Sequence, residues 1–404
     1  MQCRLFRRVG NAVTMVNVDH PSPVRSSHMR PQLKSIVWER VDRQLRLVYD
    51  VRDQFVLDDE DGAVEALLVL LRAGGRTVSE LAAALGEQGR QVPVDDVVAA
   101  VEVLDHYRLL EDGGHLGRLD ETEQERYFSN LAFFESFGSL ARSREDFQER
   151  LRGAHVLVLG TGGLNSNTIP HMCGLGVGRL TLLDRDAVEL RNFARQYLYR
   201  RSDLGAHKVA VAADWVRAFD PAIKVDAVEA RIDSVDSVTE LLDRFRPDLV
   251  MSGVDSPVGI DGWVNDACVS RRTPYVRGGM YVTQGVVWSV NPGVSGCLRC
   301  SPDDGPGDDV DPQERSAAAL FRGKPRANRG IGPVAGLLGA FCAFEVLRYL
   351  TDFEPPAHAG RPLIIDFANA CATRNNTVWQ RDPSCAICGS LGPTTTFRQG
   401  GETE

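Results

Sequence analysis

The spacing of apolar residues changes character along the chain. In residues 31–112 it begins with period two. Leu45-Arg-Leu-Val-Tyr-Asp-Val51 alternates and predicts a strand. Gln54-Phe-Val-Leu57 follows a short Arg-Asp turn and predicts the other arm of a hairpin. The period then lengthens to that of a helix. Val64, Leu67, Leu68 and Leu71 share one face of a helix over Gly62–Arg72. A second helix opens at Thr77-Val-Ser-Glu80, where Thr and Glu three apart can satisfy free amides. A third covers Val94–Leu104. From residue 154 the pattern changes again. His155–Gly160 predicts a strand, Gly163–Leu175 a helix and Arg179–Asp184 a strand, a βαβ unit long enough for half of a mononucleotide-binding fold. Lys224–Val228 and Asp248–Ser252 add strands, and Tyr281–Val290 and Pro362–Asp366 have strand composition. Ile331–Tyr349 predicts a long helix entered through Gly-Pro.

The segments without such periods set the boundaries. Residues 1–30 are expected to be disordered, 31–112 to form a small module, and 113–150 to be polar and helical, ending in a linker helix. Residues 151–392 form the main α/β domain and 393–404 a tail. Within it, residues 301–329 are rich in Asp, Gly, Pro and then Arg, and are expected to be a mobile loop. A hairpin followed by three helices resembles a winged-helix module or a peptide-clamp domain, with a plain structural cap as the alternative. No basic recognition helix is visible, which speaks against DNA.

Composition narrows the classes. The chain has 404 residues, 43% hydrophobic and 25% charged, with net charge −9. The acidic balance argues against a general nucleic-acid partner. No run of 18 apolar residues exists, so no membrane span is expected, and cytoplasmic location is the default. Four of the nine cysteines form two CxxC pairs, Cys297/Cys300 and Cys385/Cys388. In a cytosolic enzyme such pairs read as metal ligands, and four thiolates suit a closed, structural zinc site.

The candidate chemistry begins at VLVLGTGGLNSN, residues 156–167. An apolar run breaks at Gly160, Gly162 and Gly163, as where a strand turns into a helix whose N-terminus holds phosphate. Asn165 stands where a dinucleotide fingerprint has its third glycine. Asp184, closing the next strand, is placed to bond ribose. Asp186, Asn192, Arg195, Gln196 and Lys208 follow. Two cations near a glycine turn suit a triphosphate better than NAD.

This set (GxGG, DxD, N..RQ, G..K and an acid after a later strand, Asp255) resembles the E1-like adenylyltransferases, over residues 122–392. RYFSNLAFFESFG at 126–138 and DPSCAICG at 382–389 are similar to the branch that adenylylates the microcin C heptapeptide. The resemblance implies a Rossmann-like E1 adenylation domain with an N-terminal winged-helix-like peptide clamp, ATP and Mg²⁺ as cofactors, structural Zn²⁺, and a homodimer. Asp255 would hold Mg²⁺. Asp186, Asn192 and Gln196 would join the nucleotide-binding set, with Arg195 and Lys208 neutralising phosphates. The substrate would be a precursor peptide carboxylate in the biosynthesis of a ribosomally made natural product. Activation of a sulfur-carrier protein, or leader-peptide delivery without catalysis, are the alternatives. One departure stands out. Arg126 is kept, but Ser129 takes the place of a second phosphate-facing arginine. Cys173, Cys268 and Cys342 sit in apolar helical contexts and are expected in the core, so no enzyme thioester is expected.

Overall fold

The computed structural model describes residues 5–9, 12–15, 28–50, 53–281, 283–302 and 330–392. The loop expected over 301–329 and the tail 393–404 lie almost wholly outside them. The chain divides into two compact units, Met1–Glu149 and Arg150–Glu404.

The smaller unit holds a five-stranded antiparallel sheet: β1 (Leu5–Val9), β2 (Ala12–Met15), β4 (Val37–Val41), β5 (Gln44–Asp50) and β6 (Asp53–Asp58), in the order β2-β1-β6-β5-β4. The alternation read in the sequence becomes register. Leu45 faces Leu57 and Leu47 faces Phe55, and all four are buried. Three helices follow: α1 (Ala63–Ala73), α2 (Val78–Glu87) and α3 (Val94–His106). The Thr77–Glu80 capping box forms at the start of α2. The start of α1 is held differently. Its Val64 and Glu65 amides donate to the buried Asp59 side chain at 2.9 and 3.2 Å. Leu67, Leu68, Leu71, Leu81, Leu85, Val97, Val101 and Leu104 pack with the hairpin leucines in one core. A separate pair, β3 (Pro31–Leu33) and β7 (Leu110–Asp112), closes its other side. Two expectations differ here. Leu5–Val9 pairs with β6, so residues 1–30 contain strand. Residues 113–150 hold most of three short helices, α4 (Glu121–Arg126), α5 (Phe128–Glu135) and α6 (Arg144–Gly153), rather than one linker helix. Capping at Asp120 and the non-helical turn at Tyr127 set those boundaries.

The larger unit is a doubly wound sheet. Its strands are β8 (His155–Leu159), β9 (Arg179–Asp184), β10 (Lys224–Glu229), β11 (Leu249–Ser252), β12 (Tyr275–Tyr281), β13 (Gln284–Val290), β14 (Leu363–Asp366) and β15 (Ala372–Asn375). The order is β10-β9-β8-β11-β12-β13-β14-β15, parallel through β12 and antiparallel beyond. The run Tyr281–Val290 thus spans the end of one arm and, from Gln284 on, the whole second arm of a β12–β13 hairpin. β8 and β11 are buried at every residue, as central parallel strands covered on both faces are. The helices are α7 (Asn165–Leu175), α8 (Lys208–Phe219), α9 (Val235–Phe245), α10 (Ile260–Ser270) and α11 (Gly332–Thr351). Leu157 and Leu159 of β8 pack with Val238 and Leu242 of α9 and Val264 of α10. By length and composition α11 could cross a membrane, because only Glu345 and Arg348 interrupt its apolar run, but most of it is buried in this unit. Glu345 fastens it, accepting from Ser289 Oγ at 2.7 Å and from the His358 and Ala357 amides at 2.8 and 3.0 Å.

The strand order reverses between β8 and β11. Ligands of open α/β sheets bind at the carboxyl ends of strands at such a switch point.

Candidate nucleotide site and cysteine cluster

The glycine turn lies at that switch point. β8 ends, and Gly160 takes φ +81°, where a side chain would be strained. A Cβ on Gly163 would come 2.9 Å from Arg195 Nε, so the missing side chain is what lets Arg195 lie across the turn. The amides of Gly162, Gly163 and Leu164 donate to nothing among the described residues. They form the free N-terminus of α7, where partial positive charge favours an anion.

Asp184 closes β9 and is buried. Its carboxylate accepts four bonds: Thr161 N at 2.6 Å, Thr161 Oγ1 at 2.9 Å, Arg185 N at 2.8 Å and Asp186 N at 2.9 Å. It fastens the glycine turn to β9. Tyr199 adds a second fastening, donating to Thr161 O at 2.6 Å, and burial pushes its hydroxyl pKa up. Neither Thr161 nor Tyr199 was singled out in the sequence. Their signal was weak, a threonine between glycines and a tyrosine close behind Gln196.

Lys208 opens α8. It is buried, and its Nζ donates to Asp186 Oδ2 at 3.0 Å while its amide bonds Asp186 O. Asn192 accepts the Glu189 amide at 2.8 Å and shapes the short turn Leu190–Ala194. Arg195 is half-buried and makes no ion pair among the described residues. Its carbonyl is held by Asn167 Nδ2 at 2.9 Å. Gln196 is buried beside Gly162, and its Oε1 has no partner among the described residues. Asn165, in the third glycine position, donates to Leu159 O and Gly160 O at 3.0 and 2.7 Å, and its Oδ1 is likewise unpartnered. Ser252 Oγ, ending β11, is the third such atom here. Asp255, three residues on, is exposed and unpaired among the described residues. Buried polar atoms are nearly always satisfied, so three orphans around one glycine turn fit a polar ligand. Arg126 and Ser129 lie in α4 and α5 of the smaller unit.

The four paired cysteines converge within the larger unit. Cys297 Sγ lies 4.0 Å from Cys300 Sγ and 3.9 Å from Cys385 Sγ, and Cys300 Sγ lies 3.3 Å from Cys388 Sγ. All four fall within 4.8 Å of one another. A tetrahedral ion with metal–sulfur bonds of about 2.3 Å needs sulfurs about 3.8 Å apart, which this group fits. Arg381 braces the second knuckle, donating to Cys388 O and Gly389 O at 3.0 and 3.2 Å.

A doubly wound sheet with cations and free amides at its switch point defines a nucleotide-binding α/β enzyme. The ThiF family model matches residues 136–387, and the chain belongs to that family of E1-like adenylyltransferases. It is 30% identical over 275 residues to the SAMP-activating enzyme E1 of Haloferax volcanii, covering 68% of this chain and 92% of the relative. It is 30% identical over 249 residues to the molybdopterin-synthase adenylyltransferase of Salmonella typhimurium, covering 60% and 90%. Among solved structures, Escherichia coli MccB superposes with a TM-score of 0.70 at 19% identity, covering 92% of this chain and 99% of MccB.

Proposed function

We propose that this adenylyltransferase activates the carboxylate of a precursor peptide, and that the smaller unit binds that peptide. The carrying observation is the smaller unit itself. The curated relatives quoted above match 60–68% of the chain, whereas the MccB fold spans 92% of it. MccB has been solved with ATP and with MccA, including an N-formylated form. A hairpin with an exposed outer strand, β4, offers unpaired backbone groups to an extended peptide.

In this reading the amides of Gly162 and Gly163 hold a nucleotide phosphate. Arg195 and Lys208 neutralise the charge that grows on departing pyrophosphate. Lys208 is held ready by Asp186, and Gln196 takes a nucleotide donor on its free Oε1. A ribose hydroxyl reaching Asp184 would replace the Thr161 hydroxyl bond. Asp255 would hold Mg²⁺, which makes the α-phosphorus more electrophilic. The peptide carboxylate is already a nucleophile, so no base is needed. Zinc bound by Cys297, Cys300, Cys385 and Cys388 would knit the turn after β13 to residues 385–388. Thiolate ligands suit a reducing cytoplasm. The homodimer belongs to the same proposal.

Activation of a sulfur-carrier protein is the second reading, favoured by the 30% identity to enzymes of that kind. ATP–pyrophosphate exchange decides between them. Exchange should depend on a peptide encoded by a short open reading frame beside the gene. Exchange driven instead by a ubiquitin-like protein ending in Gly-Gly would overturn the peptide reading.

A further inference from the structure

Arg277 lies beside the crevice and has no part in the reading above. It sits on β12, level with Ser252 at the end of β11. β12 runs four residues further, so Arg277 stands where the parallel sheet ends and the crevice opens. Its guanidinium is buried. Burial works against its charge, and the carboxylates of Asp261 and Asp255 outweigh that and hold its pKa above the ordinary arginine value.

The hydrogen bonds of Arg277 leave one edge open. Nε donates to Asp261 Oδ1 at 2.6 Å and Nη2 lies 3.5 Å from Asp261 Oδ2, so Asp261 takes the side edge. Nη1 donates to the carbonyl of Gly278. A guanidinium has five N–H donors. Three are used, and the described residues provide no partner for the other two. One of the two is on each terminal nitrogen, and with the Gly278 carbonyl on the inner hydrogen of Nη1 the pair can form a parallel fork of the kind that grips a carboxylate. Asp261, at the start of α10, and the Gly278 carbonyl fix the plane of that fork.

We infer that the Nη1–Nη2 edge of Arg277 receives the substrate carboxylate and holds it beside Asp255 for adenylation, with Asp261 setting its orientation. The inference rests on the adenylation reading for its chemistry but is tested by binding alone. A carboxylate needs a cation here, because Asp255 and Asp261 would otherwise repel it.

The probe is N-acetyl-glycylglycine, as the free acid and as its C-terminal amide. Each is titrated into the full chain with Mg²⁺ and a non-hydrolysable ATP analogue, and binding is read by saturation-transfer NMR. The acid should bind at least tenfold more tightly than the amide. Arg277→Gln should abolish that preference. Arg277→Lys keeps the charge but not the fork, and should reduce it three- to tenfold. Affinity for the ATP analogue should stay within twofold in both. Equal binding of acid and amide to the wild type overturns the assignment, as does a full preference surviving in Arg277→Lys. Should Arg277→Gln not fold, the wild-type comparison and Arg277→Lys still decide. Loss of analogue binding in the wild type would defeat the nucleotide reading instead. The acid–amide comparison, repeated without analogue, would still test Arg277.

Discussion

Two buried polar clusters, one in each unit, are built to opposite rules. In the smaller unit, a cavity of about 420 Å³ is lined by Lys34, Arg72, Glu111, Glu135 and Arg144. Its charges are matched from within. Lys34 Nζ donates to Arg108 O and Gly138 O at 2.6 and 2.7 Å, and Arg144 Nη1 donates to Glu135 at 3.1 Å. Ser35 and Tyr49 donate to the same glutamate. In the larger unit, Gln196 Oε1, Asn165 Oδ1 and Ser252 Oγ are buried without partners. The first cluster has volume and no unmet bond. The second has unmet bonds around a glycine turn. Unsatisfied buried groups cost on the order of 1–3 kcal/mol each. Trp288 Nε1, Arg348 Nε and His358 Nδ1 are also without partners among the described residues elsewhere in the larger unit, so the glycine turn is marked by its orphans together with its free amides. Demand for bonds, more than empty space, marks the site.

The sharpest test breaks the second cluster. Asp255→Ala and Lys208→Ala should each lower pyrophosphate exchange at least a hundredfold, about 3 kcal/mol of transition-state stabilisation. The two should differ in stability. Asp255 is exposed and makes no direct ion pair among the described residues, acting on the buried Arg277 only through its charge, so its loss should lower the melting temperature far less than the loss of Lys208. Lys208 is buried against Asp186, so its loss should lower it. Near-normal exchange in Asp255→Ala would remove that residue from the reaction.

The cysteine group lies between the two rules, since its four thiols gather within 4.8 Å of one another and could hold a metal ion. Elemental analysis should find one zinc per chain. Cys385→Ser should lower the melting temperature by roughly 6–12 °C, as a loss of about 3 kcal/mol does in a domain of this size. Full stability without metal would show that thiol packing alone suffices.

The first cluster can be tested through pH. Burial lowers the Lys34 pKa from 10.5 to about 8. Between those values the unfolded chain binds a proton that the folded chain lacks. Stability should therefore rise with pH over that window, by on the order of 3 kcal/mol at most, and the penalty is fully present below pH 8. Lys34→Met should flatten the rise in thermal unfolding of the intact chain. A flat wild-type profile would mean that the two carbonyls hold Lys34 charged.

What the sequence made legible follows the same division. Period and capping are local, so the β5–β6 hairpin, the Thr77–Glu80 box and the β8–α7–β9 unit could be read directly. The glycines, Arg195 and Lys208 were legible because backbone freedom and charge near a turn have few other uses. Pairing at a distance was not. β1 is a strand because it pairs with β2 on one side and with β6, far along the chain, on the other. Asp59 caps α1 from outside its first turn, and Asp184 is engaged by Thr161, 23 residues away. The turn between β12 and β13 was hidden because the apolar character of Tyr281–Val290 does not reveal where the chain reverses. Arg277 was not singled out, although the segment 256–280 that holds it is similar to the same microcin C branch, since its meaning comes from Asp261 across a strand–helix gap.

The smallest expected effect is a null one. Cys268→Ala should leave exchange within twofold of wild type, and incubation with ATP, Mg²⁺ and the peptide should give no thiol-sensitive adduct by intact mass spectrometry. A thiol attacks as its thiolate, and burial opposes that form. Cys268 is fully buried among Leu242, Val264 and Tyr275, and its thiol is pushed well above the ordinary range by burial alone. Cys342 on α11 is as deeply buried, and burial lifts its pKa to about 12 although Arg277 pulls the other way. Cys173 on α7 is buried as well. Cys297, Cys300, Cys385 and Cys388 are committed to one another. The exposed Cys371 lies just before β15, at the far edge of the sheet from β8. The acyl-adenylate should therefore pass to water, to an amide within the peptide or to an external nucleophile. An adduct of peptide mass that disappears in Cys268→Ala would mean that this core opens during turnover, and would move the reaction onto a cysteine.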